Sequence, residues 1–304
     1  MTTAFPRRSG VPYHRMAHCT DRHRWWRPLL GALLLLGLWL VLFLLLYTVA
    51  YGLGAAAGRR QLPDGSVDLG PLRNTALDLT SIAIALPLVF LVVRWTGRRP
   101  AGTVSSVTGR LRWRWLARCL LAAVPAVLLL TAITLVLPDG ATGSKDSGPW
   151  AGWQSFLTSL AVLACFVPLQ AAAEEYLFRG WLAQTAGAYL RSPWLAVVPQ
   201  AVLFAAAHGW GTTWGFTDLL LFGLTAGWLT LRTGGLEAAI ALHALNNMLA
   251  FGLSAAVVNG LSSEDTAADA SWLLAAADIA TTLLYAAIVL RLAHRHAPQT
   301  SRLP

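Results

Sequence analysis

The chain has few charged residues, few acidic residues and few cysteines. Only 12% of its 304 residues are charged, and 14 Asp and Glu stand against 23 Lys and Arg. With 56% hydrophobic residues and a mean hydropathy of +0.56, this composition excludes an ordinary soluble domain. The three cysteines, Cys19, Cys119 and Cys165, contain no CxxC pair, so neither a disulfide framework nor a thiolate metal site is indicated.

Several catalytic and binding signatures are also missing. There is no HExxH helix of the kind that binds zinc in metalloproteases. Asp218 and Asp278 lie in separate apolar runs without a matching acid, so no aspartate pair is predicted. Ser254 follows His243 in the chain, which disfavours a serine mechanism. The net charge of +9 does not indicate nucleic-acid binding, because the arginines lie in short segments between apolar runs.

What the sequence does contain is a series of apolar runs. Eight are long enough, or nearly so, to cross a hydrocarbon core of about 30 Å. They cover residues 29–51, 75–93, 116–137, 153–178, 194–207, 219–231, 236–257 and 272–292. The fifth and sixth are shorter than the usual length of about 20 residues. The sequence therefore predicts an all-α polytopic membrane protein, a bundle of about eight transmembrane helices.

The arginines are distributed unevenly between these runs. They fill the N-terminal arm, the second, fourth and sixth connections and the C-terminal tail, whereas the alternate connections are mixed or acidic. By the positive-inside rule, both termini are cytoplasmic, and the Arg/Trp/Ala-rich composition suggests a bacterial cell membrane. We divide the chain into a basic cytoplasmic arm (1–28), helices one to three (29–152), helices four to seven (153–257) and the last helix with its tail (258–304). Residues 138–148 are predicted to form a loop.

Two adjacent glutamates and an arginine interrupt the fourth run. Ionisable groups within a span usually face the bundle interior and carry function, because a charge in the bilayer costs on the order of 3 kcal/mol. At positions i and i+4 of a helix, Glu175 and Arg179 are placed to form an ion pair, whereas Glu174 points about 100° away. The alternative is that these side chains mark a helix end and reach the headgroups.

Two later runs carry polar groups at the same four-residue spacing. Phe204 and His208 end the fifth run, and His243 and Asn247 share one face of the seventh, next to Asn246. Taken singly, each is explained as well by interfacial or interhelical hydrogen bonding. Together, a carboxylate, two imidazoles and an amide on separate helices provide a base for water, an acid for the leaving amine and an oxyanion donor. These are the groups that amide hydrolysis requires.

The three patterns resemble the motifs of a known family. They are EExxxR at 174–179, FxxxH at 204–208 and HxxxN at 243–247. In this order they resemble the CPBP (Abi/CAAX prenyl protease-like) family of intramembrane proteases, over about 153–257, which would then be the protease core. The resemblance implies an endopeptidase whose substrate is a membrane-associated peptide or protein, with lipidated prenyl-cysteine peptides the best-known class. The implied partners are this substrate and the lipid bilayer, with no nucleic acid.

The resemblance also implies roles for individual residues. Glu174 would activate the hydrolytic water together with His208, and His243 and Asn247 would bind the oxyanion or support the water. The residues implied to orient the site are Glu175, Arg179 and Phe204. We expect helix four to continue to about residue 186 and helix five to start deeper, which would bring Glu174 and His208 to similar depths in a site open to the cytoplasm.

Cofactor use and two other function classes remain open. The family is usually called a metalloprotease family, which implies a catalytic zinc ion. Such an ion would need Glu174, His208 and His243 as ligands from three helices. We favour the metal-free mechanism, with zinc as the alternative.

A transporter would show polar residues along a path or in inverted repeats, and the sequence has neither. A membrane scaffold or immunity protein that keeps the motifs only for binding is the third possibility.

Overall fold

The computed structural model describes residues 10–63, 65–137, 148–263 and 265–302. Most of the predicted loop at 138–148 lies outside these ranges. The α-helices are α1 (Arg27–Ala56), α2 (Pro71–Ala83), α3 (Ala85–Trp95), α4 (Trp113–Val136), α5 (Trp153–Glu175), α6 (Ala183–Tyr189), α7 (Pro193–Ala207), α8 (Thr213–Thr233), α9 (Glu237–Ala255) and α10 (Trp272–His296). A π-helix, Tyr176–Leu182, joins α5 to α6. Two-residue strands, β1 (Val11–Pro12) and β2 (Ser301–Arg302), lie near the chain ends.

Four short 3-10 helices complete the described elements. They are Tyr13–His18, Ala101–Val104, Gly260–Ser262 and Ala267–Asp269.

Seven helical segments in the described ranges are long and apolar enough to cross a membrane. They are α1, α2 with α3, α4, α5 through α6, α8, α9 and α10. Helix α7 has only 15 residues, about 22 Å at the usual rise, which is shorter than the hydrocarbon core. All eight predicted runs lie in helices, and the all-α polytopic class is confirmed.

The two ends of the chain meet at one end of the bundle. Strands β1 and β2 pair antiparallel, with Val11 opposite Arg302 and Pro12 opposite Ser301. Two segments on the same side of a membrane are separated by an even number of membrane crossings. The pairing of β1 with β2 therefore requires an even number of crossings between them. Seven long spans together with α7 give eight, which agrees with the number that the arginine distribution predicts.

The arginine-rich connections converge at the same end. Arg112 forms a bidentate ion pair with buried Glu237 at the start of α9, with Nη2 2.7 Å from Oε2 and Nε 2.8 Å from Oε1. Nη1 of Arg112 also donates to the carbonyl of Gln299 in the tail, at 3.1 Å. His14 in the arm lies 3.2 Å from the carbonyl of Arg191 after α6. We call this end the basic cap, formed by residues 10–27, 96–112, 183–192, 234–237 and 297–302.

Helices α7 and α8 pack closely because of two glycines in α8. A Cβ on Gly223 would lie 3.0 Å from Ala201, and one on Gly227 would lie 2.7 Å from Nε2 of Gln200. Small residues at this spacing let membrane helices approach each other. In the resulting register, the end of α7 lies about one turn inside the start of α8. His208 therefore lies about one turn inside the end of the bundle opposite the basic cap, even though it follows the last residue of its helix.

Candidate active site

The EExxxR motif lies where an α-helix changes into a π-helix. Glu174 and Glu175 end α5, and Arg179 lies within Tyr176–Leu182. Single π turns occur frequently at functional sites, and nothing in the spacing of the sequence indicated one here. The apolar helix continues to Tyr189, so helix four does run past residue 186. Helix α7 begins at Pro193, one residue before the predicted start of helix five.

Glu175 is fully buried and binds two partners through one oxygen. Its Oε1 accepts a hydrogen bond from Nη1 of Arg179 at 2.9 Å, so the ion pair expected from their spacing is present. The same oxygen lies 2.7 Å from Nδ1 of His243. Because an ionised carboxylate only accepts hydrogen bonds, Nδ1 of His243 carries the proton. This second contact joins two helices and was not predicted from sequence spacing.

Glu174 faces the other nitrogen of the same imidazole. Its Oε2 lies 3.4 Å from Nε2 of His243, and the residue is 8% exposed. Within the described ranges, this oxygen has no hydrogen-bond partner. Buried polar atoms without partners are rare in folded proteins, because leaving one unsatisfied costs free energy. A buried carboxylate oxygen of this kind is suited to bind water or a substrate group.

Phe204 lies between the cationic and imidazole groups of the site. The guanidinium carbon of Arg179 lies 3.9 Å from the centre of the Phe204 ring and 5.5 Å from that of Phe222. Cation–π contacts at these distances stabilise a buried guanidinium. The Phe204 ring also lies 4.6 Å from the ring of His208 and 5.8 Å from that of His243. Phe204 therefore separates the two imidazoles and supports Arg179 from the side.

His208 and Asn247 lie at the edge of this group. Nδ1 of His208 is 2.9 Å from the carbonyl oxygen of Phe204, which only accepts, so Nδ1 carries the proton and Nε2 has none in the neutral ring. Nδ2 of Asn247 donates to Oε1 of Gln170 at 3.0 Å. Gln170 is a buried residue that the sequence analysis missed. Its position four residues before Glu174, on the same helical face, was the available signal.

The arrangement does not match the zinc site considered above. In the described part of the chain, no three His, Cys, Asp or Glu side chains form a group that could hold a metal ion. Glu174 and His243 approach each other to 3.4 Å, as two ligands of one ion would. His208 does not join them in a three-ligand group, so the residues present do not fit a zinc centre with three protein ligands.

Comparison with known proteins agrees with the motifs. Residues 153–249 match the family model described as Rce1-like, type II CAAX prenyl endopeptidase Rce1-like. This segment, which we call the Rce1-like segment, is therefore similar to that family. The match contains the three motifs and confirms the predicted resemblance to the CPBP family.

A curated bacterial protein is also similar, over a larger part of the chain. The chain is 28% identical over 235 residues to the uncharacterized protein YyaK of Bacillus subtilis (strain 168). The aligned region covers 73% of this chain and 76% of that protein. No solved structure matches the chain.

Burial shows which side of the Rce1-like segment is accessible. Toward the basic cap, Tyr176 and Arg179 of the segment and Val104 and Leu236 around it are buried. Away from the cap, His208 and Asn247 are partly exposed. The exposed part of the site therefore faces away from the arginine-rich end.

Two aspartates correct another expectation. The side chains of Asp218 in the Rce1-like segment and Asp278 in α10 are hydrogen-bonded to each other. The sequence spacing had indicated no matching acid for either. Nδ2 of Asn246 lies 3.2 and 3.4 Å from the two carboxylate oxygens of Asp278. A hydrogen bond between two carboxyl groups requires a proton on one of them. The pair joins helices far apart in the chain, which is why sequence spacing did not reveal it.

Proposed function

We propose that the protein is an intramembrane endopeptidase in which Glu174 activates water to hydrolyse a peptide bond of a membrane-associated or lipidated substrate. The observation that carries this proposal is the buried Oε2 of Glu174, which has no hydrogen-bond partner in the described ranges and lies 3.4 Å from Nε2 of His243. The Rce1-like segment and the membrane-spanning helices support the broader assignment to CAAX-type intramembrane proteases.

The chemistry follows from the order of these groups. The carboxylate of Glu174 takes a proton from water, and the water oxygen attacks the carbonyl carbon of the scissile peptide. Negative charge then develops on the carbonyl oxygen. One N–H of the Asn247 amide donates to Gln170, and we assign the other N–H to this oxyanion. One such donor contributes roughly 3 to 4 kcal/mol to transition-state stabilisation.

Collapse of the intermediate needs a proton on the leaving amine. Glu174 returns the proton that it took from water, the C–N bond breaks, and a carboxylate and an amine leave. The unprotonated Nε2 of His208 is a second acceptor for the water. We assign Glu175 no part in these transfers, because its Oε1 is engaged by Arg179 and His243 and the residue is fully buried, so its other oxygen, which also has no hydrogen-bond partner among the described residues, is less accessible than that of Glu174. It is a positioning residue that sets which nitrogen of His243 faces Glu174.

The substrate class is proposed from the position of the site. Glu174 and Asn247 belong to helices of the membrane bundle and His208 directly follows α7, so a substrate must reach them from within or beside the bilayer. A peptide attached to a lipid chain satisfies this condition, and the matching family is described by its action on CAAX prenyl substrates. We therefore propose a peptide or membrane-protein substrate, with lipidated peptides as the first class to test.

The test uses purified protein in liposomes and a fluorogenic peptide with a farnesylated cysteine, beside the same peptide without the lipid. We expect the protein to cleave the lipidated peptide, and Glu174→Gln to abolish cleavage without changing the thermal unfolding midpoint. Asp265→Asn, which neutralises an exposed carboxylate, is the matched control and should cleave as the wild type does.

Three outcomes separate the alternatives. Cleavage by Glu174→Gln at the wild-type rate would refute the role of this carboxylate. Equal cleavage of both peptides would show that the lipid is not recognised. If the folded protein cleaves neither peptide, and the membrane proteomes of a deletion strain and a Glu174→Gln strain differ in no cleavage product, the scaffold or immunity function replaces the protease.

A further inference from the structure

A small cavity lies in the basic cap, away from the candidate active site. Its volume is about 30 Å³, and it lies between the N-terminal arm, the end of α3 and the π-helix. A cavity of this size accommodates a small polar group. The ionisable and polar residues of its lining are His23, Arg27, Thr96, Arg99, Gln184 and Thr185. The lining contains two guanidinium groups and no carboxylate.

Arg99 is the residue that makes this cavity unusual. It is only 7% exposed, and its Nη1 donates to Oγ1 of Thr103 at 2.8 Å and to Oε1 of Gln184 at 2.6 Å. These two bonds use both hydrogens of Nη1. Among the residues that the structure describes, Nε and Nη2 have no acceptor, and no carboxylate forms a salt bridge with Arg99. The free Nε–Nη2 edge is the fork that binds a phosphate or carboxylate through two hydrogen bonds.

The charge of Arg99 persists despite its burial. Burial lowers the pKa of Arg99 to about 10, so the guanidinium is protonated at neutral pH. A buried cation without a counter-charge is unfavourable, and an anion in the cavity would remove that cost. The neighbouring cation Arg27 adds to the same positive potential.

The backbone before Arg99 directs it inward. Arg98 has a positive φ of 52°, a left-handed conformation that is unfavourable for a residue with a side chain. This turn follows α3 and leaves Arg98 exposed while Arg99 is buried. The two adjacent arginines therefore form a natural comparison, since they carry the same charge at nearly the same place and only one lines the cavity.

The position of the cavity indicates where the anion comes from. Arg27 and Pro28 of the lining begin α1, whose leucines, such as Leu33 and Leu36, are 71% and 62% exposed. Trp25 and Trp26, just before this helix, are also exposed, and tryptophans favour the level of the lipid headgroups. The cavity is therefore at headgroup depth, next to a helix with a lipid-facing surface.

We propose that this cavity binds a phosphate group through Nε and Nη2 of Arg99, with Arg27 on its open side. The headgroup of an anionic phospholipid and free inorganic phosphate are the two sources of this chemistry. The exposed leucines of α1 favour the lipid. Gln184 accepts a hydrogen bond from Arg99, and its Nε2 also donates to the carbonyl of Thr103 at 2.9 Å. A bound phosphate would therefore connect the N-terminal arm to the helix that continues from Glu174, whether or not the protein is a protease.

The experiment measures phosphate-dependent stability of the delipidated protein in detergent micelles. The thermal unfolding midpoint is recorded with phosphatidylglycerol, with phosphatidylcholine, with inorganic phosphate, and with chloride at equal ionic strength. We expect phosphatidylglycerol to raise the midpoint of the wild type and of Arg98→Gln, because a ligand that binds only the folded state stabilises it. Arg99→Gln should lose the rise, and Arg27→Gln should bind about tenfold more weakly.

A second measurement covers the case in which Arg99→Gln does not fold. Native mass spectrometry counts phosphatidylglycerol molecules retained by the wild type, Arg27→Gln and Arg98→Gln, and we expect retention to fall only in Arg27→Gln. An equal rise with inorganic phosphate would assign the site to free phosphate. The proposal is overturned if neither probe raises the midpoint, or if Arg27→Gln and Arg98→Gln retain the lipid equally.

Discussion

Nδ1 of His243 lies 2.7 Å from Oε1 of Glu175, a residue distant from it in the chain. This contact gives the two adjacent glutamates different roles. Glu175 is held by Arg179 and in turn holds the imidazole. Glu174 faces the opposite nitrogen of the ring with an oxygen that has no hydrogen-bond partner in the described ranges. The two glutamates have the same functional group, and their proposed roles differ because their side chains contact different partners.

The first prediction concerns the buried ion pair. We expect Glu175→Gln to lower the free energy of unfolding by roughly 3 to 5 kcal/mol, because it leaves the fully buried Arg179 without a counter-charge. The double variant Glu175→Gln/Arg179→Met should be more stable than Glu175→Gln alone, since it removes both charges. Unfolding of the wild type, Glu175→Gln, Arg179→Met and the double variant in detergent measures the coupling. Strictly additive losses would show that the pair is not coupled.

The second prediction concerns the metal. Because the described His, Asp, Glu and Cys side chains form no three-ligand group, we expect purified active protein to contain less than stoichiometric zinc. Incubation with a chelator should leave peptide cleavage unchanged. Elemental analysis and a chelation series with zinc added back measure this. Stoichiometric zinc whose removal and return switch cleavage off and on would instead establish the zinc-dependent mechanism.

The third prediction concerns Asp218 and Asp278. Their hydrogen bond requires a shared proton in the folded protein, whereas both carboxyl groups are ionised in the unfolded chain at neutral pH. Folding therefore binds a proton, and stability falls as the pH rises. In Asp278→Asn, the amide N–H can donate to Asp218 without a shared proton. The thermal unfolding midpoint of this variant should therefore fall less than that of the wild type between about pH 6 and pH 9. Asp21→Asn, on the exposed arm, should follow the wild type.

The fourth prediction concerns topology. With the native cysteines replaced, a cysteine at exposed Ser262 should react with a membrane-impermeant reagent added to intact cells. A cysteine at Thr108, exposed on the basic cap, should react only after the membrane is opened, because the positive-inside rule places the cap in the cytoplasm. Labelling of Thr108 in intact cells, with Ser262 protected, would reverse the orientation.

The sequence alone was sufficient for the properties that local composition determines. Apolar runs predicted every membrane helix, because the length of apolar sequence needed to cross a bilayer is a local quantity. The i, i+4 spacing predicted the contact between Glu175 and Arg179, because both lie on one helix. The uneven distribution of arginines predicted which connections share an end, because that distribution follows the sidedness of the membrane.

Only the tertiary structure decided how separate helices meet. His243 lies between the two glutamates, and Asp218 meets Asp278, through packing between helices whose relative depth and rotation depend on all of their neighbours. The depth of His208 follows from the register of α7 against two glycines of α8, and no periodicity within α7 encodes that register. The sequence named the residues of the site, and helix packing determined which nitrogen faces which carboxylate.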